Sequence, residues 1–339
     1  MKKLFTTEIK KIAVFRALQL GDLICIIPAM RALRTAYPNA EITLIGLPWA
    51  AGFVNRFSKY FDHFIYFPGY PGLPEQPYDE IAFEAFLTRV QDEQFDLVLQ
   101  MQGNGTIVNP LMFKFNAKYV AGFHNKDSRV DSPFFAEYPN QGHEIKRWLK
   151  LMKHLGIPEM GTQPEFPVMQ EDYQELDNLE LPLTYKKYVC VHPGSRGVNR
   201  QWPPEFFALL ADYCADNGLT PVITGTESER PITQELRRYM RNEAVDLTGK
   251  TSLGALAALL QDAAFIISNC TGVAHVAAAL KIPGIVISMD GEPERWKHSY
   301  HIVTDWTRNA HLDSILLDTA ALVDRVKREW QPAADLSHD

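Results

Sequence analysis

The sequence predicts an α/β protein built as two doubly wound parallel-sheet domains. Three observations carry that expectation. The chain has 339 residues, which is two domains at the usual size of roughly 100–200 residues each. Short apolar runs alternate with helical patterns along most of it, as βαβ units of a parallel sheet do. The alternation lapses once, over residues 161–185, a stretch rich in Pro, Glu and Gln, and then restarts. The expected division is therefore a first domain over residues 1–165, a linker over 166–186, a second domain over 187–315, and a C-terminal helix and tail over 316–339.

In the first domain, residues 12–15 read as a buried strand, 18–22 as a turn and 24–37 as a helix. Ile27, Met30, Ala32, Leu33 and Ala36 give that helix its apolar stripe, and Pro28 falls close enough to its start to be tolerated. Residues 41–46 are the next strand, which completes a right-handed βαβ unit. Strands at 63–67 and 96–101 flank a helix at 79–94, and 118–122 is a shorter strand. A helix at 143–155 ends at Gly156 and Pro158. In the second domain, strands at 188–192, 220–224, 245–247, 265–268 and 284–288 alternate with helices at 204–217, 228–241, 252–261 and 271–280. A terminal helix covers 313–329. In such folds ligands bind outside the carboxyl ends of the strands, and a two-domain version places the site in a cleft.

Composition narrows the function. With 46% hydrophobic and 22% charged residues, and 22 Pro and 20 Gly spread along the chain, a large core is expected and disorder is not. A net charge of -7 argues against a general nucleic-acid binder, although a local basic patch for an anionic substrate is compatible with it. Cys25, Cys190, Cys214 and Cys270 are scattered, without a CxxC pair or a His pair at zinc spacing, and read as buried thiols of a reducing cytosol. Residues 1–11 contain no apolar signal core, and Arg16, Gln19 and Asp22 interrupt residues 12–30. The expectation is a soluble cytoplasmic protein.

Four segments at strand ends carry groups suited to chemistry. Asp22, after Leu20-Gly21, is either a general base for an attacking hydroxyl or the cap of the helix that follows. The loop from His192 to Pro203 offers the N–H groups of Gly194, Ser195 and Gly197, with Arg196 and Arg200, to a phosphate; the alternative is an ordinary loop with a surface Arg pair. It is neither a P-loop nor a GxGxxG loop. Thr271 and Gly272 open a helix after a strand, where N–H groups and the dipole attract an anion, and His275 lies one turn on, as ligand or as core histidine. Glu227 or Glu229 either accepts from ribose hydroxyls or compensates a helix dipole. Two anion-ready helix starts in one domain suggest a diphosphate held in the second half. No HExxH or DxD motif supports metal catalysis.

These residues also carry a resemblance. Leu20-Gly21-Asp22, with Pro28 and Leu33 beyond it and Pro-x-Ala-x-Ile at residues 38–42, resembles the start of glycosyltransferase family 9, the ADP-heptose:lipopolysaccharide heptosyltransferases. The second half is a closer match, through the His192-Pro-Gly-Ser195 loop leading to Arg200-Gln-Trp202-Pro203, Asp246-Leu-Thr-Gly249 and Thr271-Gly-Val-Ala-His275. Phe95-Asp-Leu-Val98 and Val120-Ala-Gly-Phe123 are similar to family segments between these.

The resemblance implies a GT-B fold of two Rossmann-like domains facing a cleft, with the acceptor half first and the nucleotide-sugar half second. It implies inverting, metal-independent transfer with no cofactor beyond the nucleotide-sugar co-substrate. Asp22 inherits the role of base, which reverses the balance between base and cap. Ser195, Arg196 and Arg200 fall to the donor diphosphate, Glu229 to the donor ribose, and Thr271, Gly272, Val273 and His275 to the phosphate-binding helix start. One departure stands out, because the family usually has Asp where this chain has Cys270. At a helix N-terminus a thiol in contact with solvent is expected to be acidified and reactive and to line the donor-sugar pocket, unless it faces the core.

The leading function is thus transfer of a heptose or related sugar from a nucleotide diphosphate to a lipopolysaccharide-core or other glycan acceptor. A GT-B relative with another donor sugar, an epimerase-type activity and a binding-only homologue are the alternatives. Lys2, Lys3, Lys10, Lys11, Arg56 and Lys59 are either solvated surface charge or a peripheral contact with the inner membrane and a lipid-linked acceptor.

Overall fold

The computed structural model describes Phe5, residues 8–307 and residues 311–330. Lys2 and Lys3 therefore lie outside the described residues, as does the tail expected after residue 330. The chain forms two compact units, Met1–Pro167 and Val168–Asp339.

The first unit runs β1 (Lys11–Phe15), α1 (Leu20–Ala36), β2 (Glu41–Gly46), α2 (Ala50–Arg56), β3 (His63–Tyr66), α3 (Glu80–Asp92), β4 (Leu97–Gln100), α4 (Val108–Phe113), β5 (Tyr119–His124), β6 (Phe135–Glu137) and α5 (Glu144–His154). The strands form one sheet in the order β3-β2-β1-β4-β5-β6, and every pairing is parallel. β1 and β4 are buried along almost their whole length, as strands covered on both faces must be. An aromatic core of Phe15, Phe67, Phe83, Phe86 and Phe115 fills one side of this sheet.

The second unit runs α6 (Gln170–Asp177), β7 (Tyr188–His192), α7 (Pro204–Asp216), β8 (Thr220–Ile223), α8 (Arg230–Tyr239), β9 (Val245–Asp246), α9 (Leu253–Asp262), β10 (Phe265–Asn269), α10 (Gly272–Ala279), β11 (Gly284–Ser288), α11 (Pro293–Trp296), β12 (His301–Asp305) and α12 (Leu312–Trp330). Its sheet, β12-β11-β10-β7-β8-β9, is also parallel throughout. Numbered within each unit, both sheets have the order 3-2-1-4-5-6, the doubly wound Rossmann arrangement. The α/β expectation is met in both halves. In each sheet the connection reverses direction between the first and fourth strands, β1/β4 and β7/β10, and that switch point is where such sheets bind ligands.

Three boundaries differ from the sequence reading. The helix expected at 24–37 begins at Leu20, so Asp22 lies inside its first turn rather than in a turn before it. Pro28 is consequently interior, and the N–H it lacks is a real loss to α1. Burial offsets that loss: Leu23 to Met30 are all buried, and the helix packs on α5. The expected linker, 166–186, is not a plain tether, because α6 forms within it and packs on α9. Ser252 donates from its N and Oγ to the Glu175 carboxylate at 2.8 and 2.5 Å, so polar contacts secure a helix that has little apolar pattern of its own. The terminal helix begins at Leu312, and Ile315, Leu322, Val323 and Val326 insert into the second core, making α12 part of that unit rather than an appendage. Among the described residues no helix is long and apolar enough to cross a membrane.

The loop after β4 depends on one glycine. Gly105 has φ +82, and a Cβ there would stand 2.2 Å from Asn109 Nδ2 and 2.3 Å from the Phe123 carbonyl. Asn109 Nδ2 already donates to that carbonyl at 2.9 Å, which ties the loop to β5. Gly105→Ala therefore meets both backbone strain and a clash, and should lower stability by about 2–4 kcal/mol, read from urea midpoints.

Candidate active site

At the switch point of the first unit, β1 is followed by Arg16, whose side chain is 0% exposed. Its Nε donates to the Asp22 carbonyl at 2.8 Å and its Nη2 to Asp22 Oδ1 at 3.1 Å. Nη2 also reaches Glu144 Oε1 at 3.3 Å, and Nη1 donates to the Met101 carbonyl beyond β4. The guanidinium lies 4.7 Å from the Trp148 ring centroid. Glu144 in turn accepts from Trp148 Nε1 at 2.9 Å and pairs with Arg147. Asp22 is not the helix cap, since Gln19 occupies that position and makes no side-chain cap bond. The Asp22 side chain remains 22% exposed. It is a carboxylate oriented at the mouth of the sheet, the placement a general base needs.

The second unit arranges donors instead. Asn269, fully buried at the end of β10, donates to the Pro193 carbonyl at 2.7 Å and accepts from the Trp202 N at 2.9 Å. One amide thus joins the loop after β7 to the strand beside it. Within that loop Ser195 is buried, while Arg196 is exposed and makes no hydrogen bond or ion pair among the described residues. A single turn of 3-10 helix, Val198–Arg200, carries Arg200 to the Cys270 carbonyl at 3.3 Å and to Asp290 Oδ2 at 2.7 Å. Ser288 Oγ steadies the other Asp290 oxygen at 2.9 Å. Thr271 is the N-cap of α10, with Gly272 and Val273 opening the helix, so its first N–H groups have no partner within it.

Glu229 lies against Gly194, where an added Cβ would fall 2.1 Å from its Oε1, so any side chain there would displace the Glu229 carboxylate. Its Oε2 accepts from the Thr226 N at 2.8 Å and Oγ1 at 2.9 Å, and stands 3.9 Å from His192 Nε2. Burial pushes the His192 imidazole below its ordinary pKa against the pull of Glu229, so the ring is neutral at pH 7. Glu227 is committed elsewhere, to a two-point ion pair with Arg230 that holds its carboxyl below the usual range. His275 is a buried residue, 2.8 Å through Nδ1 from His298 Nε2 and edge-on to Trp296.

The structure therefore brings Arg200, the Cys270 main chain and the start of α10 together, sets Glu229 against Gly194, and leaves Arg196 outside. The expected reactive thiol at Cys270 is corrected. Its side chain is 6% exposed and packs on Ala274, Val286, Trp296 and Val303. Burial, with the Asp290 charge adding to it, raises the thiol to about 12, which outweighs the helix dipole. Sequence reasoning missed Arg16, Glu144 and Asp290. Arg16 directly follows the buried strand β1 and Asp290 stands two residues beyond β11, and a lone charge at a strand end was the available signal.

The sequence model of glycosyltransferase family 9 (heptosyltransferase) matches residues 84–314. The chain belongs to that family. The lipopolysaccharide core heptosyltransferase OpsX of Haemophilus influenzae is 22% identical over 320 residues, covering 91% of this chain and 88% of that one. A family 9 glycosyltransferase from Veillonella parvula superposes with a TM-score of 0.75 at 20% identity, over 94% of this chain and 97% of that one. The Escherichia coli ADP-heptose lipopolysaccharide heptosyltransferase II gives a TM-score of 0.71 at 18% identity, over 94% and 99%. The fold shared with these structures is the two-domain GT-B architecture of family 9.

The burial of Cys270 has a direct test in this family 9 chain. At pH 8 the native protein should resist iodoacetamide at Cys270 while the urea-unfolded protein is alkylated there, as peptide mass spectrometry reads. Rapid native labelling would place the thiol in solvent.

Proposed function

We propose that the chain transfers heptose from ADP-heptose to a hydroxyl of a lipopolysaccharide-core or related glycan acceptor, with inversion at the anomeric carbon and without a metal ion. The first unit takes the acceptor and the second takes the donor. The observation that carries this reading is the complementary chemistry of the two switch points. A positioned carboxylate, Asp22, ends one of them. A loop with Gly194 and Ser195 buried, Arg200 and a helix start end the other.

In the reaction Asp22 accepts the proton of the acceptor hydroxyl as its oxygen attacks the anomeric carbon. The new C–O bond forms opposite the breaking bond, whose electron pair passes to the diphosphate oxygen. ADP leaves with the charge that Arg200 and the first N–H groups of α10 are placed to meet. Arg200 uses Nη2 on Asp290 and Cys270, so its remaining N–H groups make no hydrogen bond among the described residues. Ser195 and the backbone of the Gly194 loop flank the same phosphates, and Glu229 accepts from the ribose. The buried Cys270 and His275 act through the main chain and through packing of α10 rather than as side-chain ligands. Peripheral contact with the inner membrane, through Lys10, Lys11, Arg56 and Lys59, fits a lipid-linked acceptor.

Two variants separate the steps. Asp22→Asn should bind ADP as the unaltered protein does and lose about 10²-fold or more in kcat, the usual scale for a general base. Full turnover of that variant would remove Asp22 from the mechanism. Arg200→Ala should weaken ADP binding by roughly 1.5–3 kcal/mol in calorimetry, the worth of a hydrogen bond to a charged group. Unchanged affinity would move the diphosphate to another cation, Arg196 first.

A further inference from the structure

Arg16 is an arginine with no access to water, and a buried guanidinium is stable only when it is paired and hydrogen-bonded. Its four hydrogen bonds are not distributed evenly around the site: two of them end on one residue, Asp22, at its carbonyl and its carboxylate. Those two leave from Nε and Nη2, which share one edge of the planar fork. Backbone and side chain of Asp22 are therefore gripped by a single rigid group, and the orientation of the carboxylate is set by the guanidinium plane.

That plane is itself held. Met101, beyond β4, accepts from Nη1, Glu144 on α5 accepts from Nη2, and Trp148 lies against the face. Arg147 pairs with the second Glu144 oxygen, so each oxygen of that carboxylate meets a buried cation. Nothing in this set is exposed enough to bind substrate except Asp22.

We propose that Arg16 is the positioning residue for the transfer step, holding the Asp22 carboxylate in the orientation from which it takes the acceptor proton, with Glu144 holding Arg16 in turn. This rests on the reading of Asp22 as general base. A near-attack geometry is sensitive to displacements of about 1 Å, which cost on the order of 10²-fold in rate. Lysine keeps the charge of Arg16 but cannot grip two atoms of Asp22 from one plane.

The test uses the full chain with ADP-heptose and a lipopolysaccharide-core acceptor. Arg16→Lys should lower kcat about 10–10²-fold with the ADP dissociation constant unchanged. In an Asp22→Asn background the same substitution should cause no further loss, because it acts through the residue already removed. Should Arg16→Lys not fold, Arg16→Met keeps the buried Glu144–Arg147 pair intact, leaves Asp22 in partial contact with solvent and should show the same split. Turnover at the unaltered rate in the folded variant overturns the proposal. So does a kcat loss that persists in the Asp22→Asn background or comes with loss of ADP affinity, since Arg16 would then only support the fold. If Asp22→Asn is itself fully active, the general-base reading fails instead, which the same set of proteins reveals.

Discussion

Burying a guanidinium obliges its surroundings to supply acceptors on every side, and Arg16 draws them from α1, the end of β4 and α5. Removing one partner of such a set costs about 3–5 kcal/mol, because the remaining charge is stranded away from water. The elements that converge on Arg16 are thereby fixed relative to one another at the point where the strand order reverses. The second sheet meets the same need with a neutral group. Asn269 is fully buried, and its amide links Pro193, Trp202 and the end of β10. In both units one buried polar side chain at the end of a central strand closes the switch point, Arg16 on Asp22 in the first and Asn269 on the loop after β7 in the second.

The two units share a strand order yet differ in what they present. At the first, the helix following β1 carries a carboxylate in its opening turn, with a cation beside it to define its direction. At the second, the helix following β10 opens with Thr271 and Gly272, and Arg200 stands next to it on the Cys270 carbonyl. A carboxylate is suited to receiving a proton, and a helix start with an arginine is suited to receiving a departing diphosphate. Membership of the heptosyltransferase family is consistent with this division of the proposed transfer.

How much of this was legible follows from where each signal resides. Strands such as β7, β10 and β11 are short apolar runs bounded by turns, so their pattern is local and was read correctly. α6 and β12 were missed because neither has an apolar period: α6 is secured by Glu175 on Ser252, and β12 is a partly exposed edge strand. Asp22, Arg200, Glu229 and Thr271 were identified because each falls in a glycine-containing segment between a strand and a helix, where the family resemblance assigns roles. Arg16, six positions before Asp22, was passed over, and Glu144 and Asp290 were not legible because each is distant in sequence from the arginine it meets. Arg16 meets Glu144 across 128 positions, and Arg200 meets Asp290 across 90. The reactivity expected of Cys270 failed for a related reason. A dipole is a property of the helix itself, but burial by Val286, Trp296 and Val303 is decided by residues further along the chain.

The most direct test of sugar transfer is whether ADP release requires an acceptor. The unaltered protein would be incubated with ADP-heptose and EDTA, with and without a lipopolysaccharide-core glycan, and the products followed by mass spectrometry and NMR. The account predicts that ADP appears only with the glycan, in step with a heptosylated product whose anomeric configuration is opposite to that of the donor. Free heptose, an isomerised nucleotide sugar, or ADP released equally well without acceptor would contradict it.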